Sequence, residues 1–141
     1  MKKKNRLLMI LICLTVGFIW GHSLMPGEIS GEESSRVFEF LRPFLEIFLG
    51  KGCVTETLVR KMAHFSEYAL LSAELTVYFR QKKWKNVWLL SLTVCFIDET
   101  IQTFVPGRAG LIADMWIDMG GALTGFLIIL GYLRWKSNVN G

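Results

Sequence analysis

The chain has 141 residues, of which 52% are hydrophobic and 20% charged, with 16 Lys and Arg against 12 Asp and Glu and a formal net charge of +4. This length fits one domain, and so large an apolar share excludes a disordered chain. Three cysteines exclude a disulfide-rich scaffold, and so small a net charge does not indicate nucleic-acid binding.

The first candidate membrane span covers residues 7–25 and contains no Asp, Glu, Lys or Arg. Its length is close to the roughly 20 residues that cross the hydrocarbon core of a bilayer. It follows Lys2, Lys3, Lys4 and Arg6, an arrangement that a cleaved signal peptide shares. We expect the span to be retained, because no small-residue cleavage site follows it, and cleavage stays the alternative.

Three further candidate spans cover residues 62–79, 87–105 and 109–133, and each combines long apolar tracts with acidic residues. One Asp at the centre of a spanning helix costs about 3 kcal/mol, so these helices must turn their acids toward one another or toward water. The sequence therefore predicts an all-α, four-span transmembrane bundle that forms a single domain over residues 1–141. A soluble helical bundle is the alternative.

The segment between the first two spans predicts an additional helix. Over residues 33–49, polar side chains and a phenylalanine-rich face alternate at helical spacing. We expect an extracytoplasmic amphipathic helix that lies in the outer membrane interface or, equally, one that caps the bundle. Pro43 should kink this helix or start a second helical piece.

The basic residues predict the orientation of the bundle. Most of them flank its spans on one side, at Lys2, Lys3, Lys4, Arg6, Arg80, Lys82, Lys83, Lys85, Arg134 and Lys136. Because positively charged flanks stay in the cytoplasm, we expect both termini to be cytoplasmic.

Polar residues of the last three spans fall at one predicted depth. At a rise of 1.5 Å per residue, they lie within about 12 Å of the outer boundary. The layer comprises His64, Glu67, Asp98, Glu99, Gln102, Asp114 and Asp118, with Arg60, Lys61 and Arg108 at its rim. Glu74 lies deeper, and the G-x-x-x-G pair Gly121 and Gly125 predicts close helix approach beneath the acids. We expect His22 to be interfacial, with membership of the layer as the alternative.

Three interpretations of this polar layer stay open. Unpaired buried carboxylates cost several kcal/mol each, so we expect the acids to be paired, protonated or bound to a cation. The layer is therefore an ion-pair network, a binding or catalytic cavity open to the outer leaflet, or a proton path that only Glu74 continues inward. His64 and Glu67 resemble half of a carboxylate-bridged metal site, for which a hard cation is better suited than zinc. The sequence does not specify a metal or any other cofactor.

Four blocks of residues occur in the order and spacing of a known family. They are Lys61-x-x-His64-Phe65-x-Glu67-Tyr68, Asp98-Glu99-x-x-Gln102, Pro106-Gly107-Arg108 and Asp114-x-x-x-Asp118-x-x-Gly121-x-x-x-Gly125, after Trp20, Ser23, Pro26-Gly27, Ser30 and Ser34. Over roughly residues 10–132 the chain resembles the VanZ-like family. It departs from the family pattern at Asp118, where many members have Asn, and at Leu111, near which a small polar residue is usual.

The resemblance implies a multi-pass protein of the bacterial cell membrane. The name-giving member of the family is associated with low-level resistance to teicoplanin, a lipid-tailed glycopeptide, and its biochemical activity is not established. We therefore expect a binding or shielding protein of the cell envelope that contributes to this resistance. The alternatives are a hydrolase or transferase acting on an outer-leaflet lipid-linked substrate, and a small proton-coupled permease.

The predicted site residues follow from these functions. The catalytic candidates are His64, Glu67, Asp98 and Glu99, and the binding candidates are Lys61, Gln102, Arg108, Asp114 and Asp118. The expected partners are the lipid bilayer and a lipid-linked cell-wall precursor or a lipoglycopeptide, and not nucleic acid.

Overall fold

A computed structural model describes residues 3–79 and 83–139. In these two ranges the regular secondary structure consists of five α-helices without a strand. They are α1 (Lys3–Ser23), α2 (Gly27–Leu49), α3 (Glu56–Phe79), α4 (Trp84–Phe104) and α5 (Ile112–Val139). The predicted all-α fold class is confirmed.

Helices α1, α3, α4 and α5 pack side by side around one apolar core. Their ends meet in a fixed arrangement, because Arg108, between α4 and α5, hydrogen-bonds to the end of α1. Lys61, near the start of α3, pairs with Asp114 at the start of α5. The C-terminal ends of α1 and α4 thus lie beside the N-terminal ends of α3 and α5, and we call this the site end of the bundle.

Three helices are long and apolar enough to cross a membrane, over Asn5–Ser23, Trp84–Phe104 and Ile112–Val139. Large apolar side chains on their outer surfaces, such as Phe18 and Leu89, are more than half exposed, as expected of surfaces that face lipid. These three helices correspond to the predicted first, third and fourth spans.

Helix α3, which contains the predicted span 62–79, does not meet the same criterion of length and composition. Charged side chains are spread along it, including Arg60, Lys61, Glu67 and Glu74. It packs against α1, α2, α4 and α5, so neighbouring helices cover much of its surface.

The predicted amphipathic segment 33–49 is the C-terminal part of a longer helix. Helix α2 begins at Gly27 and runs through Pro43, so the expectation of a second helical piece at that residue is wrong. The proline removes the donor for the carbonyl group of Glu39, and because Glu39 is exposed, water can replace the lost hydrogen bond.

Helix α2 packs against α3 and leaves an apolar stripe uncovered. Phe40, Phe44 and Phe48 are 72%, 60% and 85% exposed, and their spacing of four residues places them on one face. The amphipathic pattern in the sequence therefore produces an apolar surface that points away from the bundle.

The end of the bundle opposite the site end contains the connection between α3 and α4. Lys83 and Lys85 lie at the start of α4, where the ammonium group of Lys85 is 5.9 Å from the ring centroid of Trp84. Arg80 and Lys82, which belong to the predicted basic connection, lie outside the described residues, as does Lys2.

Helices α3 and α5 approach each other closely at two glycines. A Cβ atom at Gly121 would collide with the backbone carbonyl of Phe65, and one at Gly125 with that of Ala69. The close approach predicted from the G-x-x-x-G pair is confirmed.

At the site end, the backbone at the start of α2 contacts the backbone of the connection between α4 and α5. The Gly27 amide donates a hydrogen bond to the Pro106 carbonyl at 3.0 Å. Gly107 has a φ of 75°, which L side chains rarely adopt, and a Cβ at Gly27 would collide with the Gly107 backbone. Glycine is thus needed on both sides of this contact.

We predict that Gly125→Ala destabilises the protein, because one methyl group already meets the Ala69 carbonyl of α3. Overpacking of this kind costs about 1–3 kcal/mol, measured as the free energy of unfolding in detergent. Gly131→Ala on the same helix is the matched control, since nothing lies within 4 Å of its added Cβ, and it should be neutral or stabilising. Equal stability of the two variants would show that the α3–α5 contact is looser than described.

Candidate functional site

A cavity of about 350 Å³ lies at the site end between α3, α4 and α5. We call it the polar cavity. It is lined by Thr57, Arg60, Lys61, His64, Glu99, Gln102, Gly107, Arg108, Ala109, Leu111, Asp114, Ile117 and Asp118. Most of the predicted site residues therefore meet here, although they come from three helices and one connection.

Helical spacing explains why these side chains share the cavity. Lys61 and His64 are one turn apart near the start of α3, and Asp114 and Asp118 are one turn apart at the start of α5. Residues three or four apart lie on the same helix face, so each helix presents two polar groups to the same space.

Lys61 and Asp114 form an ion pair at the mouth of the cavity, with 3.1 Å between Nζ and Oδ1. Both side chains are partly exposed, at 41% and 33%, and pairs of this kind contribute about 1 kcal/mol or less. The pair links the start of α3 to the start of α5 at the mouth of the cavity, and it gives the Asp114 carboxylate a positively charged partner.

Glu99 has a local structural partner. Its Oε2 accepts a hydrogen bond from the Leu111 amide at 2.7 Å, next to the first residue of α5. A carboxylate is favourable there because the amides at a helix N-terminus lack internal acceptors and carry partial positive charge. The Glu99 carboxylate thus stabilises the start of α5, in addition to lining the cavity.

Arg108 holds the end of α1. Its Nε donates to the Met25 carbonyl at 3.0 Å and its Nη2 donates to the His22 carbonyl at 2.8 Å. Burial, and then the charge of nearby Arg60, lower the pKa of the Arg108 guanidinium, which still remains charged in proteins. The predicted anion-binding arginine therefore also has a structural function.

The innermost polar groups form what we call the His–Asp–Asp cluster, made of His64, Asp98 and Asp118. His64 Nδ1 lies 3.9 Å from Asp98 Oδ2 and 3.8 Å from Asp118 Oδ1, which is too far for hydrogen bonds. Both carboxylates are at most 1% exposed. The Gln102 amide lies 3.4 Å from Asp98 Oδ2 and the Cys95 thiol 3.4 Å from Asp118 Oδ2. The side chains of Ser23 and Tyr68 also lie beside the Asp98 carboxylate.

Glu67 does not belong to this cluster, although the sequence pairs it with His64. It lines a second cavity, of about 580 Å³, between α1, α2 and α3. Among the described residues, the group that could hold a metal ion consists of His64, Asp98 and Asp118. Glu67 is not a member of this group.

Further side chains lie beside the cluster. The His22 ring lies 6.3 Å from that of His64, so His22 belongs to the polar layer, which was the alternative expectation for this residue. Cys95 contacts Asp118, and Ser23 accepts a hydrogen bond from Gln102 at 3.2 Å. The signal for Cys95 was its position three residues before Asp98, which places both on one face of α4.

This arrangement supports two kinds of chemistry. Three basic side chains, Arg60, Lys61 and Arg108, line the polar cavity and can bind an anionic group. An imidazole that is largely buried between two carboxylates can transfer protons or coordinate a cation.

A family model described as VanZ/LLP1 matches residues 8–134, nearly the whole chain. This match confirms the resemblance found in the motifs, and with the three apolar helices it indicates a membrane protein. No curated protein and no solved structure matches the chain.

We predict that Arg108→Met lowers the free energy of unfolding by about 1.5–3 kcal/mol, the range for hydrogen bonds to charged groups. The variant leaves the His22 and Met25 carbonyls at the end of α1 without these donors. Arg36→Met, at an exposed position of α2, is the control for loss of one positive charge. An unfolding free energy of Arg108→Met equal to that of the control would contradict the structural function.

Proposed function

Since this chain belongs to the VanZ/LLP1 family, we propose that it is a multi-pass protein of the bacterial cell envelope that binds a lipid-tailed anionic ligand. The observation that carries the proposal is the polar cavity with its three basic side chains, Arg60, Lys61 and Arg108. We place this cavity at the outer leaflet, where a lipid-linked cell-wall precursor and a lipoglycopeptide are both found. Binding of either would shield the envelope and contribute to teicoplanin-type resistance.

The proposed topology has four membrane crossings with both termini in the cytoplasm. Three apolar helices support it directly, and α3 packs among them with His64, Glu67 and Glu74 among its polar residues. A crossing helix tolerates such residues where they face the bundle interior. The basic residues at the end opposite the site end support the orientation.

We assign α2 to the outer membrane interface. Its exposed stripe of Phe40, Phe44 and Phe48 supports this position, since an apolar face of this kind inserts among lipid headgroups. The opposite face carries the ion pair of Arg42 and Glu46, with 2.8 Å between Nε and Oε1, which is suited to water.

The second cavity supplies a site for the lipid tail of the proposed ligand. Its lining includes Phe18, Val37 and Val59, so much of its surface is apolar. Arg60 lines both cavities, which makes them neighbours. A ligand with its anionic group in the polar cavity and its chain in the second cavity would pass beside the Arg60 guanidinium.

A hydrolase or transferase is the second candidate function. The observation that favours it is the buried His64 imidazole between Asp98 and Asp118, because such a group can act as acid or base. In this reading Arg108 holds the anionic group of the substrate. Glu99 already accepts the Leu111 amide, so we assign it to support of α5 in preference to proton transfer.

The permease alternative has the least support. Glu74, which would carry protons inward, does not line the polar cavity or the second cavity. It lies beside Thr15 of α1, and the sequence of the four bundle helices places no further acid or histidine between it and the opposite end.

The proposed topology predicts that an impermeant maleimide labels Cys53 on intact cells. Cys53 is exposed in the connection between α2 and α3. Cys13→Ala removes the other exposed thiol and serves as background, and Cys53→Ala in that background is the control for specificity. A reporter fused after Lys83 should be cytoplasmic. Labelling of Cys53 only after the membrane is opened would contradict the orientation.

The proposed ligand class predicts that protein in nanodiscs binds teicoplanin more tightly than vancomycin, which lacks the lipid tail, and that it binds a polyprenyl pyrophosphate. Arg60→Gln should weaken binding about tenfold, the loss expected when about 1.4 kcal/mol of interaction with an anion is removed. Arg42→Gln on the exposed face of α2 is the matched control.

The same measurement separates the candidate functions. Release of phosphate from the polyprenyl pyrophosphate would favour the hydrolase, whereas stoichiometric binding without turnover favours the shielding protein. Equal affinity for teicoplanin and vancomycin, together with an unchanged Arg60→Gln variant, would contradict the proposed site.

A further inference from the structure

We propose that the His–Asp–Asp cluster is a binding site for one divalent metal ion of the first transition row. His64 comes from α3, Asp98 from α4 and Asp118 from α5, and one ligand atom from each lies within 4.8 Å of the other two. Three helices thus bring one nitrogen and two oxygen donors to a single point at the edge of the polar cavity.

Each of the three side chains has one buried nitrogen or oxygen atom without a hydrogen-bond partner. Among the described residues, His64 Nδ1, Asp98 Oδ1 and Asp118 Oδ1 are buried and accept or donate no hydrogen bond. Asp98 is 0% exposed and Asp118 is 1% exposed, and buried polar atoms of this kind are rare in folded proteins. Electron pairs without a hydrogen-bond partner, on side chains from three helices that meet at one point, indicate a ligand that accepts several electron pairs at once.

The charge of the cluster supports the same conclusion. When both carboxylates are ionised beside a neutral imidazole, the cluster carries two negative charges, which a divalent cation neutralises. Two of the three cations that line the polar cavity have other partners, since Lys61 pairs with Asp114 and Arg108 donates to the carbonyls of α1. A bound cation would remove the cost of two uncompensated charges in a buried site.

The geometry suits a small transition-metal ion. Metal–ligand bonds of about 2.0–2.2 Å place neighbouring donors roughly 3 Å apart, so small side-chain rotations would close the cluster onto the ion. One imidazole with two carboxylates suits Mn²⁺ and Zn²⁺ better than Ca²⁺, which takes about six to eight oxygen ligands. His64 and Asp118 line the polar cavity, so the remaining coordination positions face the space in which a ligand would lie.

Outer partners orient two of the ligands, as is usual in metal sites. Gln102 holds Asp98 by the oxygen that lies near His64, and Cys95 holds Asp118 by Oδ2. In Asp118 the oxygen closer to His64 is the unoccupied one. The Asp118 carboxylate is therefore already turned for coordination by Oδ1.

The test is titration of purified, chelator-treated full-length protein in detergent with Mn²⁺ alone, followed by electron paramagnetic resonance. We expect one Mn²⁺ per chain, and a rise in unfolding temperature because the ion binds only the folded state. Asp118→Asn should lower the affinity at least about 100-fold, more than the loss of an outer partner causes. Zn²⁺ should compete for the same site.

Glu74→Gln is the matched control, because it removes a carboxylate from α3 without touching the cluster; it should bind Mn²⁺ as the unaltered protein does.

Asp118→Asn without metal should unfold at or above the temperature of the metal-free parent, since a buried charge is removed. If that variant does not fold, His64→Gln replaces it. Absence of saturable Mn²⁺ and Zn²⁺ binding by the folded parent, or undiminished binding by the folded cluster variant, would overturn the proposal. No lipid-tailed ligand is present in this experiment, so its result is separate from that of the proposed function.

Discussion

The contact between α3 and α5 at Gly121 and Gly125 determines the geometry of the whole site. Without side chains at these positions, the α5 backbone lies against the carbonyls of Phe65 and Ala69. Asp118 precedes Gly121 by one helical turn, and His64 is adjacent to Phe65, so the same contact brings the carboxylate next to the imidazole. A larger residue at either glycine would separate the helices and with them the two halves of the His–Asp–Asp cluster.

The acids at the site end divide into two groups with different environments. Asp114 pairs with Lys61 and Glu99 accepts a hydrogen bond from the Leu111 amide, so both have a close local partner near the cavity mouth. Asp98 and Asp118 lie deeper, and their hydrogen bonds from Gln102 and Cys95 are 3.4 Å long. One oxygen atom of each carboxylate is without a hydrogen-bond partner. The site end therefore combines a cavity with one ion pair and one carboxylate–amide hydrogen bond around its mouth, and the two more deeply buried carboxylates lie behind them.

The connections at the site end complete this arrangement. Arg108 holds the end of α1, and the Gly27 amide binds the Pro106 carbonyl, so the first helix cannot move independently of the turn between α4 and α5. Fixing α1 also fixes His22 close to His64 and shapes the second cavity between α1, α2 and α3. The polar cavity and the more apolar one therefore have a common boundary, where the Arg60 side chain lies.

The sequence by itself determined the helices, the acids near one end of the bundle, and the glycine pair, because hydropathy, helical period and residue spacing are local properties of the chain. It also indicated the family, since ordered motifs need no coordinates. Only the tertiary structure decided that Asp118, and not Glu67, joins His64, that Cys95 and His22 are their neighbours, and that α2 continues through Pro43. The reason is physical: the rotation of each helix about its axis follows from packing against the others, and a rotation of one residue changes which side chains meet.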